Sequence, residues 1–528
     1  MDGPDPRRGL WELVESAAVE RPDAVFVVDE HDRLLRFGEL HTRAVRVAAW
    51  LEDQGWSAGE TVSWQLPTRI DTVVIAAALA RIGVVQSPLL PLYRQRELAF
   101  ILGQNGARHI ITPGTWRGYD YTALARSALS DLDRVDGVDG VDVIDVGDGV
   151  PERAEPGRAE PGRAAPAGVD ELRWIFYTSG TTADPKGARH TEGALWATAR
   201  GLVERLEVTE DDCASIVFPF SHIGGLTWMY AGLMVGCRLI FVEAFDRGAV
   251  GVLRRHRVTL AGSGPPFLLR YLDEQRALPA GERLFDHLRA FVSGGAVTPP
   301  HLHHQLKAEC GGTGVLGSWG LTEAPIVTGV SPSQSDHALA DTVGPPMPGV
   351  EIRFGPLDDG DAAGSRAAET WERGPGEILV KAPQMMLGYV DAALDRAAFT
   401  ADGWFRTGDI GCLDDEGNVV ITGRLKEVII RNGENISARE VEDLLYTCDG
   451  VAEVAIIGMP DPRSGELVCA VVVPRDAPVT LDALCAHLRA EGVMPQKWPE
   501  RLVIVDQLPR NALGKVLKQQ LRTRVLDT

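Results

Sequence analysis

Short apolar runs alternate with longer segments of helical period through the first hundred residues, and this alternation limits the fold more than any other feature. Val25-Phe26-Val27-Val28, Thr61-Val62-Ser63-Trp64 and His109-Ile110-Ile111 are too short for buried helices and rich in β-branched residues. Between them, residues 37–55 place Leu40, Ala44, Val47, Ala48 and Leu51 on one helical face, with Gly55 positioned to end the helix. Residues 71–84 read as a second apolar helix, and residues 97–102 begin a third. Strands alternating with helices predict an α/β fold with largely parallel sheets. At 528 residues the chain exceeds what one core holds, so two or more cores are expected.

Composition narrows the function. A hydrophobic fraction of 45% and a charged fraction of 24% are those of an ordinary globular protein. A net charge of −21 argues against nucleic acid or an anionic membrane as the main partner, and it requires any polyanionic ligand to be held by local cations. No apolar run reaches the ~20 residues of a membrane span, and the first residues lack the pattern of a secretory leader. Seven scattered cysteines, never spaced C-x-x-C, suit a reducing, cytoplasmic setting without a disulfide framework or zinc site. His301, His303 and His304 lack the carboxylate or cysteine spacing of a metal site. Gly55-Trp56-Ser57-Ala58-Gly59 matches the G-x-S-x-G pattern, but it follows a helix and precedes a strand, the reverse of a nucleophile elbow.

Two regions depart from the alternation. Residues 135–170 repeat Asp-Gly-Val and then Ala-Glu-Pro-Gly-Arg, have few apolar anchors, and are expected to form a mobile surface excursion. From residue 425 onward the pattern shortens. Strands are expected at 427–430, 452–458 and 467–473 and helices at 438–445 and 481–491, making a small α+β unit.

The chemistry concentrates in Tyr177-Thr178-Ser179-Gly180-Thr181-Thr182-Ala183-Asp184-Pro185-Lys186-Gly187, led by the strand-like Trp174-Ile175-Phe176. Four hydroxyls, glycine backbone and an ammonium are what a polyphosphate needs from a loop, although the G-x-x-x-x-G-K-S/T spacing of the common phosphate loop is absent. The stretch resembles the signature of the adenylate-forming enzymes: acyl- and aryl-CoA synthetases, luciferases and peptide-synthetase adenylation domains. The family form is T-S-G-S/T-T-G-x-P-K-G, and this chain departs from it at Ala183.

Further blocks resemble that family in its order. Ser293-Gly294-Gly295-Ala296 ends a strand and is similar to the segment along adenine and the acyl pocket. Gly317-Ser318-Trp319-Gly320-Leu321-Thr322-Glu323 resembles Y-G-x-T-E, with Trp319 in the place of an adenine-packing tyrosine. Trp404-Phe405-Arg406-Thr407-Gly408-Asp409 is similar to the block whose aspartate binds the ribose hydroxyls; read by itself, Asp409 could as well cap a neighbouring turn. Gly423-Arg424-Leu425-Lys426 matches the hinge block, Arg431-Asn432-Gly433 the loop beside the pantetheine passage, and Pro509-Arg510-Asn511-Ala512-Leu513-Gly514-Lys515 the catalytic lysine motif. Phe218-Pro219-Phe220-Ser221-His222-Ile223-Gly224-Gly225 fits the acyl-site block.

The resemblance implies a large N-terminal domain of stacked, largely parallel sheets, residues 1–424, and a mobile lid, residues 425–528, turning near Lys426. It implies ATP or AMP, Mg²⁺ and CoA as ligands. Nucleotide contacts would come from Thr178, Ser179, Gly180, Thr181, Thr182, Lys186, Gly294, Gly295, Trp319, Asp409 and Arg424. Thr322, Glu323, His222 and Lys515 would be catalytic, with Glu323 and secondarily Thr182 toward Mg²⁺. His222, Gly224, Gly225, Ala296 and Gly320 would line the acyl pocket, and Asn432 and Gly433 the CoA channel. The acyl-site block holds no acidic residue, which favours a plain carboxylic acid over an amino acid, and the small residues Gly224, Gly225, Gly294, Gly295, Ala296 and Gly320 at the family's pocket positions favour an apolar or bulky one. The expected reaction forms acyl-AMP and then an acyl-CoA in a stand-alone ligase. Two alternatives stay open. One is an enzyme impaired in adenylation by Ala183, which converts an acyl-adenylate supplied by another enzyme. The other is a silent nucleotide- or acyl-binding partner. The oligomeric state is open, a dimer included.

Overall fold

The computed structural model describes residues 7–132, 141–147, 149–153, 168–178, 184–296, 298–356, 373–431, 434–475, 478–511 and 514–526. Two large sheets enclose a layer of helices. The first runs Thr328–Gly329, Val315–Trp319, Ala290–Ser293, Leu260–Ser263, Cys213–Ile216, Arg238–Phe241, Val25–Asp29, Leu34–Arg36, parallel throughout except at its two edges. The second runs Gly388–Tyr389, Lys186–Thr191, Leu172–Thr178, Val85–Pro88, Thr61–Trp64, Ala107–Thr112, Asp142–Asp145.

The helices between the sheets explain their own sequences. In Ile70–Ile82 every residue except Asp71 and Arg81 is buried, so the run is apolar on all sides rather than on one stripe. Ile223–Val235 is buried in the same way. Phe37–Asp53 keeps the single apolar face expected of it, Leu40, Ala44, Val47, Ala48 and Leu51. These helices share one core with Trp64, Trp174, Phe220 and Phe241 from both sheets. Gly83 takes φ +85° to end the buried helix, where a side chain would be strained. Chain order around Gly55 is helix, turn, strand, as the sequence required.

One expectation is corrected. Residues 142–145, inside the stretch read as an excursion, form a strand that pairs in parallel with Ala107–Thr112. Val143 and Ile144 supply enough apolar surface to extend the sheet by one edge strand. The Ala-Glu-Pro-Gly-Arg repeats lie outside the described residues.

A four-stranded antiparallel sheet, Glu351–Gly355, Gly376–Lys381, Phe405–Leu413 and Val419–Arg424, leads to the smaller C-terminal domain. There Val428–Arg431, Glu434–Ser437, Val451–Asp461, Gly465–Pro474 and Arg501–Ile504 form one sheet. Helices Ala438–Leu445 and Leu481–Ala490 pack on one face and Lys518–Leu526 on the other. The strands Glu434–Ser437 and Arg501–Ile504 and the terminal helix are additional to those read from the sequence.

Candidate active site

In an open parallel sheet, ligands bind beyond the carboxyl ends of the strands. Ser263, Ser293 and Gly317 are directly paired near the ends of three adjacent parallel strands. Thr178 ends a strand of the other sheet. Thr178, Ser263, Ser293 and Ser318 border one cavity of about 2970 Å³, which reaches inward to Leu202 and outward to the C-terminal domain. A second cavity, of about 1870 Å³, adjoins it and is bordered by Ala296, Trp319, Asp409, Arg424 and the helices Pro265–Arg276 and Ala438–Leu445.

Asp409 and Arg424 face each other across an antiparallel pair. Arg424 Nε lies 2.6 Å from Asp409 Oδ1, and the Trp319 indole N–H donates to Oδ2 at 2.8 Å. Asp409 is 2% exposed, and its Oδ1 receives no aligned hydrogen bond. A buried carboxylate oxygen lacking such a donor suits a ligand hydroxyl. Trp319 holds this carboxylate rather than standing free in the cavity, because its ring packs among Ala324, Val327, Val343 and Phe354.

On the phosphate side, Lys186 pairs with Thr178 across the strands, and its Nζ lies 5.6 Å from the centre of the Tyr389 ring. The Tyr389 hydroxyl donates to Glu323 Oε1 at 2.7 Å. Burial and the neighbouring Glu323 raise the Tyr389 hydroxyl pKa far above that of a free phenol, so it remains a donor. Glu323 borders the first cavity beside Thr322. Its carboxylate is a hard oxygen donor of the kind magnesium takes together with phosphate oxygens. The Thr322 carbonyl accepts from His190 Nε2 at 2.8 Å, and complete burial holds His190 near a pKa of about 4, neutral at pH 7.

His222 caps the Ile223–Val235 helix, its Nδ1 accepting from the Gly224 N–H at 3.1 Å. Burial lowers it to about 4, so it presents a neutral ring to the cavity. Gly224, Gly294, Gly295 and Gly320 border the same cavity. Gly225 and Ala296, expected on the acyl side, are not among the residues that border this cavity. A Cβ on Gly225 would stand 2.3 Å from the Phe220 carbonyl oxygen, so that glycine serves helix packing. Ala296 borders the second cavity.

Lys515 enters from the C-terminal domain. Its backbone N–H donates to Asn511 Oδ1 at 2.9 Å, and Gly514, at φ +81°, abuts Pro266 of the large domain. Desolvation and then Arg424 lower the Lys515 ammonium to about 8, opposed by Glu427 and Asp409. Lys426 lies in the short turn Leu425–Glu427 between the domains. Ser179, Gly180, Thr181, Thr182 and Ala183, and likewise Asn432 and Gly433, lie outside the described residues. Tyr389 and His190 were not found by sequence reading: Tyr389 reaches the site from a distant segment, and His190, on the same strand as Lys186, lies just beyond the signature and belongs to no motif.

The arrangement joins a carboxylate–arginine pair, a lysine from each domain, and a carboxylate–phenol pair around one cleft. Residues 14–390 match the family model of the AMP-binding enzymes, and residues 440–515 match that of the AMP-binding enzyme C-terminal domain. The chain belongs to the AMP-binding enzymes and is an acid–thiol ligase. It is 30% identical to the medium-chain fatty-acid–CoA ligase of Escherichia coli over 98% of this chain and 92% of that one. It is 32% identical to a salicylyl-CoA synthase / salicylate adenylyltransferase of a Streptomyces species, over 98% and 93%. A bicyclic methyl-dioxo-octahydroindenyl-propanoyl:CoA ligase of Mycobacterium tuberculosis is 33% identical over 95% and 96%. Among solved structures, ATP-bound MatB of Rhodopseudomonas palustris aligns with a TM-score of 0.84 at 28% identity, covering 98% of this chain and 99% of that one. The o-succinylbenzoate CoA synthetase of Bacillus subtilis, in complex with ATP and a magnesium ion, aligns at 0.81 and 27%, covering 98% and 99%.

Proposed function

We propose that this protein activates, with ATP, an apolar or bulky carboxylic acid that carries no charge beyond its one carboxylate, and transfers the acyl group to coenzyme A. One observation carries the reading of the acid. Among the described residues between 202 and 320, the lining of the first cavity contains no Asp, Glu, Lys or Arg, and its inner part is built from Leu202, Phe218, Ile223, Trp228, Leu260 and Val292. His222 is neutral there. An amino acid's ammonium or a second carboxylate would be buried without a partner, at a cost of several kcal/mol. Aliphatic, alicyclic and aromatic acids all meet this condition, as the names of the relatives do.

In the first step a carboxylate oxygen attacks the α-phosphorus of ATP, the bond to the bridging oxygen breaks, and acyl-AMP and pyrophosphate form. In the second, the CoA thiol loses its proton, its sulfur attacks the acyl carbonyl, and the bond to the phosphate oxygen breaks to release AMP. Asp409 and Arg424 hold the ribose, and Gly294, Gly295 and Trp319 flank the adenine. Thr178 and Lys186, with Ser179, Gly180, Thr181 and Thr182, hold the β- and γ-phosphates. Thr322 and Lys515 face the α-phosphate, where charge builds. Magnesium, held by Glu323, would add positive charge beside the phosphate oxygens. His222, Gly224 and Gly320 border the carboxylate end of the acid. The chain divides at 424/425. Rotation about Lys426 withdraws Lys515 and brings Asn432 and Gly433 to the thiol route.

The test is pyrophosphate release and thioester formation with a medium-chain fatty acid, a bicyclic acid, an aromatic acid, an α-amino acid and a dicarboxylate. Turnover confined to the first three is expected; best turnover with either of the last two contradicts the reading. Synthetic acyl-adenylates assayed in parallel distinguish an enzyme impaired in adenylation, which would turn over only these.

A further inference from the structure

Three charged side chains lie beneath the lysine loop. Lys518 Nζ is 2.9 Å from Glu427 Oε2 and 2.8 Å from Glu442 Oε1, and the Lys518 and Glu442 side chains are 16% and 13% exposed. Glu442 also accepts from the Ile456 backbone N–H at 2.6 Å. Glu427 closes the turn that holds Lys426, Glu442 lies in the first helix of the small domain, and Lys518 opens the last. One ammonium therefore joins the turn between the domains to the segment that carries Lys515, three residues upstream.

We propose that Lys518 is a positioning residue for adenylation, neutralising Glu427 so that the Lys515 ammonium remains directed at the nucleotide. Charge balance carries this. A buried carboxylate, Glu442, and a half-buried one, Glu427, at 28% exposure, are costly side by side without a cation between them. After Lys518, Lys515 and Arg424 are the cations that act most on Glu427 among the described residues. Arg424 is engaged by Asp409 at 2.6 Å. Without Lys518, Lys515 is the mobile cation that turns to Glu427 and away from the cleft. Lys518 itself need not touch any substrate.

This rests on the role given to Lys515 under the proposed function, and the experiment separates the two. Pyrophosphate release with ATP and acid, and thioester formation from a synthetic acyl-adenylate, are measured for Lys515→Ala, Lys518→Met, Lys518→Arg and the double variant Glu427→Gln with Lys518→Met. Adenylation by Lys518→Met is expected to fall at least about 30-fold, with thioester formation within about threefold of wild type. Lys518→Arg retains adenylation. The double variant recovers at least about tenfold over Lys518→Met, because the carboxylate that captured Lys515 is gone. Equal loss of both half-reactions in Lys518→Met, or no recovery in the double variant, overturns the proposal. If Lys518→Met is recovered only as aggregate, the double variant decides: adenylation as low as in Lys515→Ala overturns it. Unimpaired adenylation by Lys515→Ala refutes the role of Lys515 itself.

Discussion

Lys515 is the residue on which the account turns, and its environment makes it measurable. The proposed mechanism needs the ammonium charged against the α-phosphate, yet burial and Arg424 bring its pKa down from the ordinary 10.5 to about 8. The sign follows directly. Between pH 8 and 10.5 the docked lysine has released its proton while a solvated one has not. Raising the pH therefore favours docking and removes the charge that adenylation uses. In the free enzyme, kcat/KM for ATP in pyrophosphate release should fall as pH rises through about 8. The fall in kcat should come at higher pH, because bound phosphates stabilise the ammonium. In Lys515→Arg, whose guanidinium stays charged, the alkaline limb should vanish and the rate should be lower throughout. An identical limb in Lys515→Arg would assign the titration to another group. Two short motifs directed Asp409 and Arg424 separately toward one ribose, and the structure pairs them with each other; no motif marked Tyr389. It comes to Glu323 from 66 positions away in sequence and is brought there by the edge strand beside Lys186–Thr191.

At the level of elements, the sequence was legible where one period dominated. The helix 37–55 and the strand 61–64 were found as Phe37–Asp53 and Thr61–Trp64, because their apolar positions recur regularly or fill a short run. The terminal helix Lys518–Leu526 escaped because Leu521 and Val525 are its only buried positions. The strand Asp142–Asp145 escaped because it lies among repeats whose composition reads as loop. The turn between Phe220 and the Ile223–Val235 helix shows why two adjacent glycines have different duties. A Cβ on Gly224 meets His222 Nδ1 at 3.2 Å, whereas on Gly225 it would collide with the Phe220 backbone at 2.3 Å. Gly225→Ala should cost about 2 kcal/mol through overpacking and lower the thermal midpoint, with little change in KM for the acid. Gly224→Ala should do the reverse by displacing the His222 ring. Equal effects of the two on both measurements would return Gly225 to the acyl pocket.

Across the whole molecule, a protein of net charge −21 gathers Lys186, Arg424 and Lys515 around one cleft, two from the large domain and one from the small. The domains meet where Gly514 abuts Pro266 and where the rings of His301 and Tyr446 lie 5.9 Å apart. On the proposed function, this is the arrangement in which Lys515 is delivered for adenylation. The family signature made both domains and the order of the half-reactions legible, but not how the domains would dock, because Pro266 and His301 belong to no motif. The contact also allows the arrangement to be locked. A Cβ at position 514 would stand 3.6 Å from the Cβ of Pro266, within the span of a disulfide, although the φ of +81° there strains any side chain. The decisive measurement is therefore made on the double variant Pro266→Cys with Gly514→Cys, oxidised and then reduced. The oxidised form should release about one pyrophosphate per enzyme from ATP and an apolar acid, yet form no acyl-CoA, and reductant should restore thioester formation. Sustained acyl-CoA production by the oxidised enzyme would contradict the account, because it would mean that both half-reactions proceed without the small domain leaving the position seen here.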